Sequence, residues 1–250
     1  MLANWNIDDH TLALWRRFVA ENENKDLPRR RYELNVRRNG IDLSKQNIWR
    51  VLVGCQVTTQ QRSGPNSGVS RFLKSESPAL DIHRCRESKD LADFLETELT
   101  GAGLRRAPTI AGNLTEIWKH LEEGEWRVLL SHLETLRSYP TSLKEKAVVA
   151  YMLAGKYPGL GQKQSRNFIQ WVGLSRYEVP LDSRVLKKMR EFGASFVPSG
   201  TALTDEVVYC FVQRCVQQVA RELDIYPCML DACIFASFDI ADDTKSADDA

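Results

Sequence analysis

Apolar residues return every three or four positions through most of the 250-residue chain, the spacing of one buried helical face. Asp9 is placed to cap "DHTLALWRRFVAEN" and Ser44 to cap "KQNIWRVLVGCQVTTQQ", because a short polar side chain ahead of such a run accepts the first free N–H groups of a helix. Further helices are expected over Ser67–Lys74, Ser88–Leu99, Thr109–Leu121, Glu125–Leu136, Ser142–Leu153, Lys163–Val172, Ser183–Phe192, Asp205–Leu223 and Pro227–Phe238. Strict apolar–polar alternation is nearly absent, so the fold class is all-α. Residues 1–238 read as a single helical domain. The closing stretch, 239–250, is small, acidic and free of aromatics beyond its start, and reads as a disordered tail. "RRRYELNVRR", Arg29 to Arg38, reads as a basic loop or short extended segment on a solvated face; it would contact phosphate only if neighbours converged on it.

Composition narrows the function classes. No apolar run approaches the length of a membrane span. The opening "MLANWNIDDHTLALWRRF" has acids where a signal peptide needs basic and then apolar residues. A cytosolic (nucleoid-associated) or nuclear location is therefore expected. The formal net charge of +1 neither demands nor excludes nucleic acid, since binding needs a local basic face. Four of the six cysteines follow C-x4-C-x12-C-x4-C, at Cys210, Cys215, Cys228 and Cys233, a spacing that zinc could use. They sit inside apolar helical patterns, where cysteine behaves as a small buried hydrophobe. Residues five apart on a helix also diverge by about 140°. Buried thiols are the expected reading. The histidines His10, His83, His120 and His132 form no ligand spacing.

The chemistry concentrates in "KYPGLGQKQSRNF" and "YEVPLDSRV". A helix ending near Ala154 with Gly155 beyond it matches a glycine C-cap. Pro158 blocks continuation, and Gly159 and Gly161 allow a tight turn that lies close to a neighbour. The helix starting near Gln162 then offers free N–H groups to an anion such as a DNA phosphate. An ordinary αα-hairpin would use the same glycines for the turn alone. Lys163 lies in the first turn, where the helix dipole disfavours a charged amine, and a neutral lysine forms Schiff bases. Nineteen residues on, Asp182 stands where a carboxylate caps the next helix; capping alone would explain it too.

"YPGLGQK" followed by "VPLD" at this distance resembles the helix-hairpin-helix DNA glycosylase superfamily, which includes endonuclease III and the 8-oxoguanine glycosylases; the nineteen-residue spacing is closer to the latter. "VLVGCQVTTQQRS" is similar to the family's early helix and following turn, and "TGAGLRRAPTIAGNL" to the segment leading into a long packing helix. The likeness covers roughly residues 44 to 238 and is densest between 155 and 185.

The resemblance implies a two-lobed helical fold with the active site in the cleft between lobes. The N-terminal segments and last helices would form one lobe, and roughly residues 44–175 the other. It implies a bifunctional DNA glycosylase/AP lyase of base excision repair that removes 8-oxoguanine from double-stranded DNA as a monomer. Lys163 would attack the deoxyribose C1′ and Asp182 would assist cleavage of the glycosidic bond. Gln56 would plug the gap left by the extruded base, with Gln60, Gln61 and Arg62 near the orphaned partner. The amides of Gly159 and Gly161 would anchor a phosphate, and the carbonyls of Gly155, Tyr157 and Leu160 would match the family's Na+ or K+ site. No cofactor is required, and the four-cysteine loop that holds the iron–sulfur cluster of endonuclease III is missing. The short entry segment is not expected to supply the N-terminal β-rich domain of the eukaryotic-type enzymes.

Recognition of the base falls to "YPCMLDACIFAS", where Asp231 and Phe235 are four apart and share a helical face. A ring there could stack on a flipped base while the acceptor-only carboxylate takes the two N–H donors of guanine's Watson–Crick edge. Alternatively, Phe235 packs in the core and Asp231 faces water. Asn167, one turn after Lys163, is a further candidate for the base, Arg184 for a phosphate, and Trp171 for the core. A carboxylate reader also suits other guanine-like bases, such as a 7-deazaguanine. A non-catalytic DNA-binding module would need neither Lys163 nor Asp182.

Overall fold

A computed structural model describes residues 5–61, 64 and 66–245, with side chains through 238. In chain order its α-helices are α1 (Asp9–Asn22), α2 (Asp26–Arg31), α3 (Lys45–Val57), α4 (Gly68–Lys74), α5 (Ile82–Glu87), α6 (Leu91–Gly101) and α7 (Ala107–His120). They continue with α8 (Trp126–Ser138), α9 (Ser142–Leu153), α10 (Gln162–Trp171), α11 (Ser183–Glu191), α12 (Glu206–Glu222) and α13 (Pro227–Lys245). Among the described residues there is no strand, and the all-α expectation holds. Among the described residues no helix is long and apolar enough to cross a membrane.

The caps follow the predicted logic with one shift of register. Ser44 accepts the amide of Asn47 at 3.2 Å, whereas the cap of α1 is Asp8, not Asp9, accepting Thr11 N–H at 2.7 Å. The basic stretch is helical from Arg29 to Val36, which corrects the loop expectation there: α2 runs into a wide π-type turn over Tyr32–Val36. Asn35, fully buried, ties that turn to the carbonyl of Ser175 at 2.9 Å. A buried anchor of this kind overrides the local preference of a charged segment. At the other end, α13 continues to Lys245, into the stretch read as a tail, and residues 246–250 lie outside the described ones.

The chain divides into two compact units. One comprises Asp42–Pro140 and Ala147–Val172. Its interior holds Ile48, Trp49, Leu52 and Val53 of α3, Leu114 and Ile117 of α7, Leu129 and Leu133 of α8, and Phe168 and Ile169 of α10, all fully buried. Helices α3 and α10 approach so closely that a Cβ on Gly54 would stand 2.7 Å from the ring of Trp171. Trp171 is thus a packing residue, as expected.

The other unit comprises Met1–Ile41, Thr141–Lys146 and Gly173–Ala250. Trp15 and Phe18 of α1, Val185 and Met189 of α11, Val212 and Val216 of α12, and Leu230 and Ile234 of α13 form its core. Cys215 and Cys233 belong to that core, and all six cysteines are free thiols. Cys228 is likewise buried, and burial, partly opposed by Arg31, pushes its thiol up to about 12.

Candidate active site

The predicted residues fall in both units and are taken unit by unit. In the first, α9 ends at Leu153 and α10 begins at Gln162, and the linker between them is the glycine hairpin. Gly155 and Gly159 adopt φ of 101° and 79°, the left-handed region that glycine enters without penalty. What lies close to Gly159 is protein: a Cβ there would meet the side-chain amides of Asn113 and Gln56 at 2.4 Å. Gly161 is different. It is exposed, it caps α10 with no side-chain partner, and a Cβ there would meet nothing within 4 Å. The N-terminus of α10 thus has no side-chain cap at Gly161.

Lys163 sits in the first turn of α10, half-buried, two residues beyond Gly161. Cys55 lies near enough for the lysine's charge to act on its thiol. Burial of Cys55 raises its pKa strongly and Lys163 opposes only in part, so the thiol stays protonated and does not compete as a nucleophile.

Gln56 corrects an expectation. It is buried, its Nε2 donates to the carbonyl of Pro158 at 2.6 Å, and its Oε1 accepts from Asn113 at 3.2 Å. In this structure the side chain braces the hairpin. Gln60 is exposed, and its φ of 56° turns the chain sharply beyond α3. Gln61 staples that turn, donating to Val57 O and accepting from Arg105 N–H, both at 2.8 Å. Arg62 lies outside the described residues.

Asn167 is also buried, and its Nδ2 donates to Gln164 Oε1 at 2.7 Å. The sequence reading passed over Gln164 entirely. A usable signal was present: Gln164 and Asn167 are three apart, a same-face spacing, in a helix where they are buried together with Ser165, Arg166 and Gln170.

Two of the hairpin carbonyls proposed for a monovalent cation are already engaged. Tyr157 O accepts Leu160 N–H at 3.1 Å, and Leu160 O accepts the Ser165 hydroxyl at 3.2 Å. Each of these carbonyls keeps a second lone pair. Among the described residues no group of His, Cys, Asp or Glu could hold a metal ion.

In the other unit, Asp182 caps α11, its Oδ1 accepting the amides of Arg184 at 2.9 Å and Val185 at 3.2 Å. The segment that delivers it is held from α12: the Tyr209 hydroxyl accepts Leu181 N–H at 2.7 Å and donates to Val179 O at 2.9 Å. Gln213 accepts Val179 N–H at 3.2 Å and donates to Glu178 at 3.0 Å. Upstream, fully buried Glu145 gathers Ser175 Oγ and the amides of Arg176, Tyr177 and Glu178 at 2.7–2.9 Å. Two anchors thus fix the stretch between Ser175 and Asp182.

Arg184 and Phe235 are brought together, with the guanidinium 4.9 Å from the ring centroid. The expectation gave Arg184 a phosphate and Phe235 a base; here the cation covers one face of that ring, the favoured position for a guanidinium near an aromatic. Asp231 does not face water. It is 1% exposed, and its charge acts on Arg31, whose guanidinium burial weakens and the carboxylate supports. One cavity of about 510 Å³ in this unit is lined by Ser142, Tyr177, Gln217, Arg221 and Tyr226, and includes none of the predicted site residues.

The fold is that of solved 8-oxoguanine DNA glycosylases. Structures that carry this likeness include archaeal and bacterial ones. The 8-oxoguanine DNA glycosylase of Methanocaldococcus jannaschii superposes with a TM-score of 0.65 at 18% identity, over 92% of this chain and 96% of that one. A second structure from that organism, an 8-oxoguanine glycosylase/lyase in complex with a 15mer DNA containing 8-oxoguanine, gives 0.65 at 16% identity, over 89% and 95%. The 8-oxoguanine DNA glycosylase of Thermotoga maritima gives 0.63 at 20% identity, over 91% and 95%. Neither a protein-family model nor a curated protein sequence matches the chain.

Proposed function

We propose that the chain is a DNA glycosylase with AP lyase activity that excises an oxidised guanine, 8-oxoguanine, from double-stranded DNA. The observation that carries the reading is Lys163 itself: a primary amine in the first turn of α10, beside the open amide end at Gly161, in a fold otherwise seen in enzymes of that name. A binding module would have no use for it. In the mechanism, the helix end and the Gly161 amide hold a backbone phosphate. Lys163, once deprotonated, attacks C1′ of the flipped nucleotide. The C1′–N9 bond breaks, its electron pair leaving with the base, which takes up a proton. The Asp182 carboxylate offsets the positive charge that grows at the anomeric carbon. Opening of the sugar gives an imine on Nζ, and loss of the C2′ proton then expels the 3′ phosphate by β-elimination. Gln60, exposed on its left-handed turn, is the residue that enters the duplex. Asp231 and Phe235 are the readers of the purine.

Borohydride trapping on a duplex with a single 8-oxoguanine tests the reading. Wild-type protein is expected to give a covalent adduct and Lys163→Gln none; an adduct that persists in the variant sinks the assignment. Asp182→Asn should slow base release by about 100-fold or more while DNA affinity changes little, as for a group that acts on developing charge. The acceptor character of Asp231 favours a second reading, a different guanine-like base such as a 7-deazaguanine. Mass analysis of the bases released from a panel of single-lesion duplexes separates the two.

A further inference from the structure

We propose that Gln164 is a positioning residue that couples the duplex-facing turn at 58–61 to the helix carrying Lys163. This rests on the reading of the chain as a DNA glycosylase. Gln164 is 5% exposed, adjacent to Lys163, and bonded at both ends of its amide. Its Nε2 donates to Thr59 Oγ1 at 2.9 Å and to Thr58 Oγ1 at 3.3 Å, and its Oε1 accepts from Asn167 at 2.7 Å. Both threonine hydroxyls spend their single protons on the end of α3: Thr58 donates to Gly54 O at 2.9 Å, and Thr59 to Cys55 O at 3.0 Å. Their lone pairs are therefore what remains for Gln164, and the whole line runs one way, from Asn167 through Gln164 and the hydroxyls to the carbonyls of α3.

That directionality matters. Reversing the Gln164 amide would set its NH2 against the NH2 of Asn167 and its oxygen against hydroxyl lone pairs, so one orientation is self-consistent. Buried polar lines of this kind fix geometry because a half-satisfied arrangement costs more than an apolar one. Thr58 and Thr59 immediately precede Gln60, the exposed left-handed residue. A displacement of that turn by DNA is thus passed by hydrogen bonds to Gln164, which follows Lys163 in the first turn of α10, and on to Asn167. A site that needs its nucleophile aligned to a fraction of an ångström is sensitive to such a link.

The test compares single-turnover base release with affinity for a duplex bearing a tetrahydrofuran abasic analogue. Gln164→Met and Thr59→Val are each expected to slow release by about 10-fold, with affinity within about twofold of wild type. The double variant should be no slower than either single one, and Thr59→Ser, which keeps the hydroxyl, should release base at the wild-type rate. Additive losses, equal losses of rate and affinity, or an unchanged rate in Gln164→Met would each overturn the proposal. If wild-type protein releases no base from any duplex, the glycosylase reading fails on its own. The coupling is then judged by NMR: the Asn167 side-chain amide should shift when wild-type or Thr59→Ser protein binds the duplex and stay still in Thr59→Val. A silent amide in wild type would overturn it.

Discussion

Gly159 and Gly161 are two residues apart and look interchangeable in the sequence, yet they stand in opposite surroundings. Gly159 combines a left-handed φ of 79° with two side-chain amides 2.4 Å from where a Cβ would be. Gly159→Ala is expected to destabilise the protein by about 1–3 kcal/mol, through backbone strain and the displacement of Gln56 and Asn113. Gly161→Ala, with φ of −78° and open space, should stay within about 0.5 kcal/mol. Urea unfolding midpoints of the two variants check the contrast. The same pair marks the limit of what single residues disclose. Asp182 as a cap was legible, because capping needs only the carboxylate and the amides two and three residues on. Gln56 was not. A polar residue near a helix end reads the same in sequence whether it faces water or braces a hairpin, and only its bonds to Pro158 and Asn113 decide.

At the scale of elements, the helical periodicity predicted most helices to within a few residues, since one buried stripe per helix is enough to define them. Short pieces escaped: α5 (Ile82–Glu87) has only Ile82 and Cys85 buried, too few positions to establish a period. The basic α2 was missed because its helix is stabilised by distant partners. Glu145 is the plainest case. It lies in the run "LKEKAV", which reads as solvated surface, but its carboxylate organises the segment leading to Asp182. Glu145→Ala strips four donors of their acceptor at once, two of them buried and two part-buried. A loss of about 3 kcal/mol or more is expected, and calorimetry against wild type measures it. Should the variant lose no stability, the clamp is not what holds that segment.

For the whole molecule, acid stability follows from how its buried carboxylates are partnered. Burial alone would raise the pKa of Glu125, but hydrogen bonds from Lys156 and Tyr151 win and hold it below the ordinary value. A carboxyl with a lowered folded pKa contributes stability that is present above its unfolded pKa and is lost as pH falls through the folded one. Unfolding free energies of wild type and Glu125→Gln, measured from about pH 7 to 3, should therefore converge toward the acid end; parallel curves would count against the pairing. Glu145 has the opposite sign, its pKa raised by burial despite the amides that oppose it, so its share of stability is full at low pH and declines as pH rises.

The division into two units has a consequence for how the protein comes into being. A ribosome finishes the unit of Asp42–Pro140 and Ala147–Val172 before the unit that holds α1, which waits for the segment from Gly173 onward. Until α11, α12 and α13 emerge, Trp15 and Phe18 have no core to join. Helix α1 is therefore made well ahead of its packing partners, with its apolar face unprotected meanwhile, the kind of delay during which chaperones are recruited and misassembly begins.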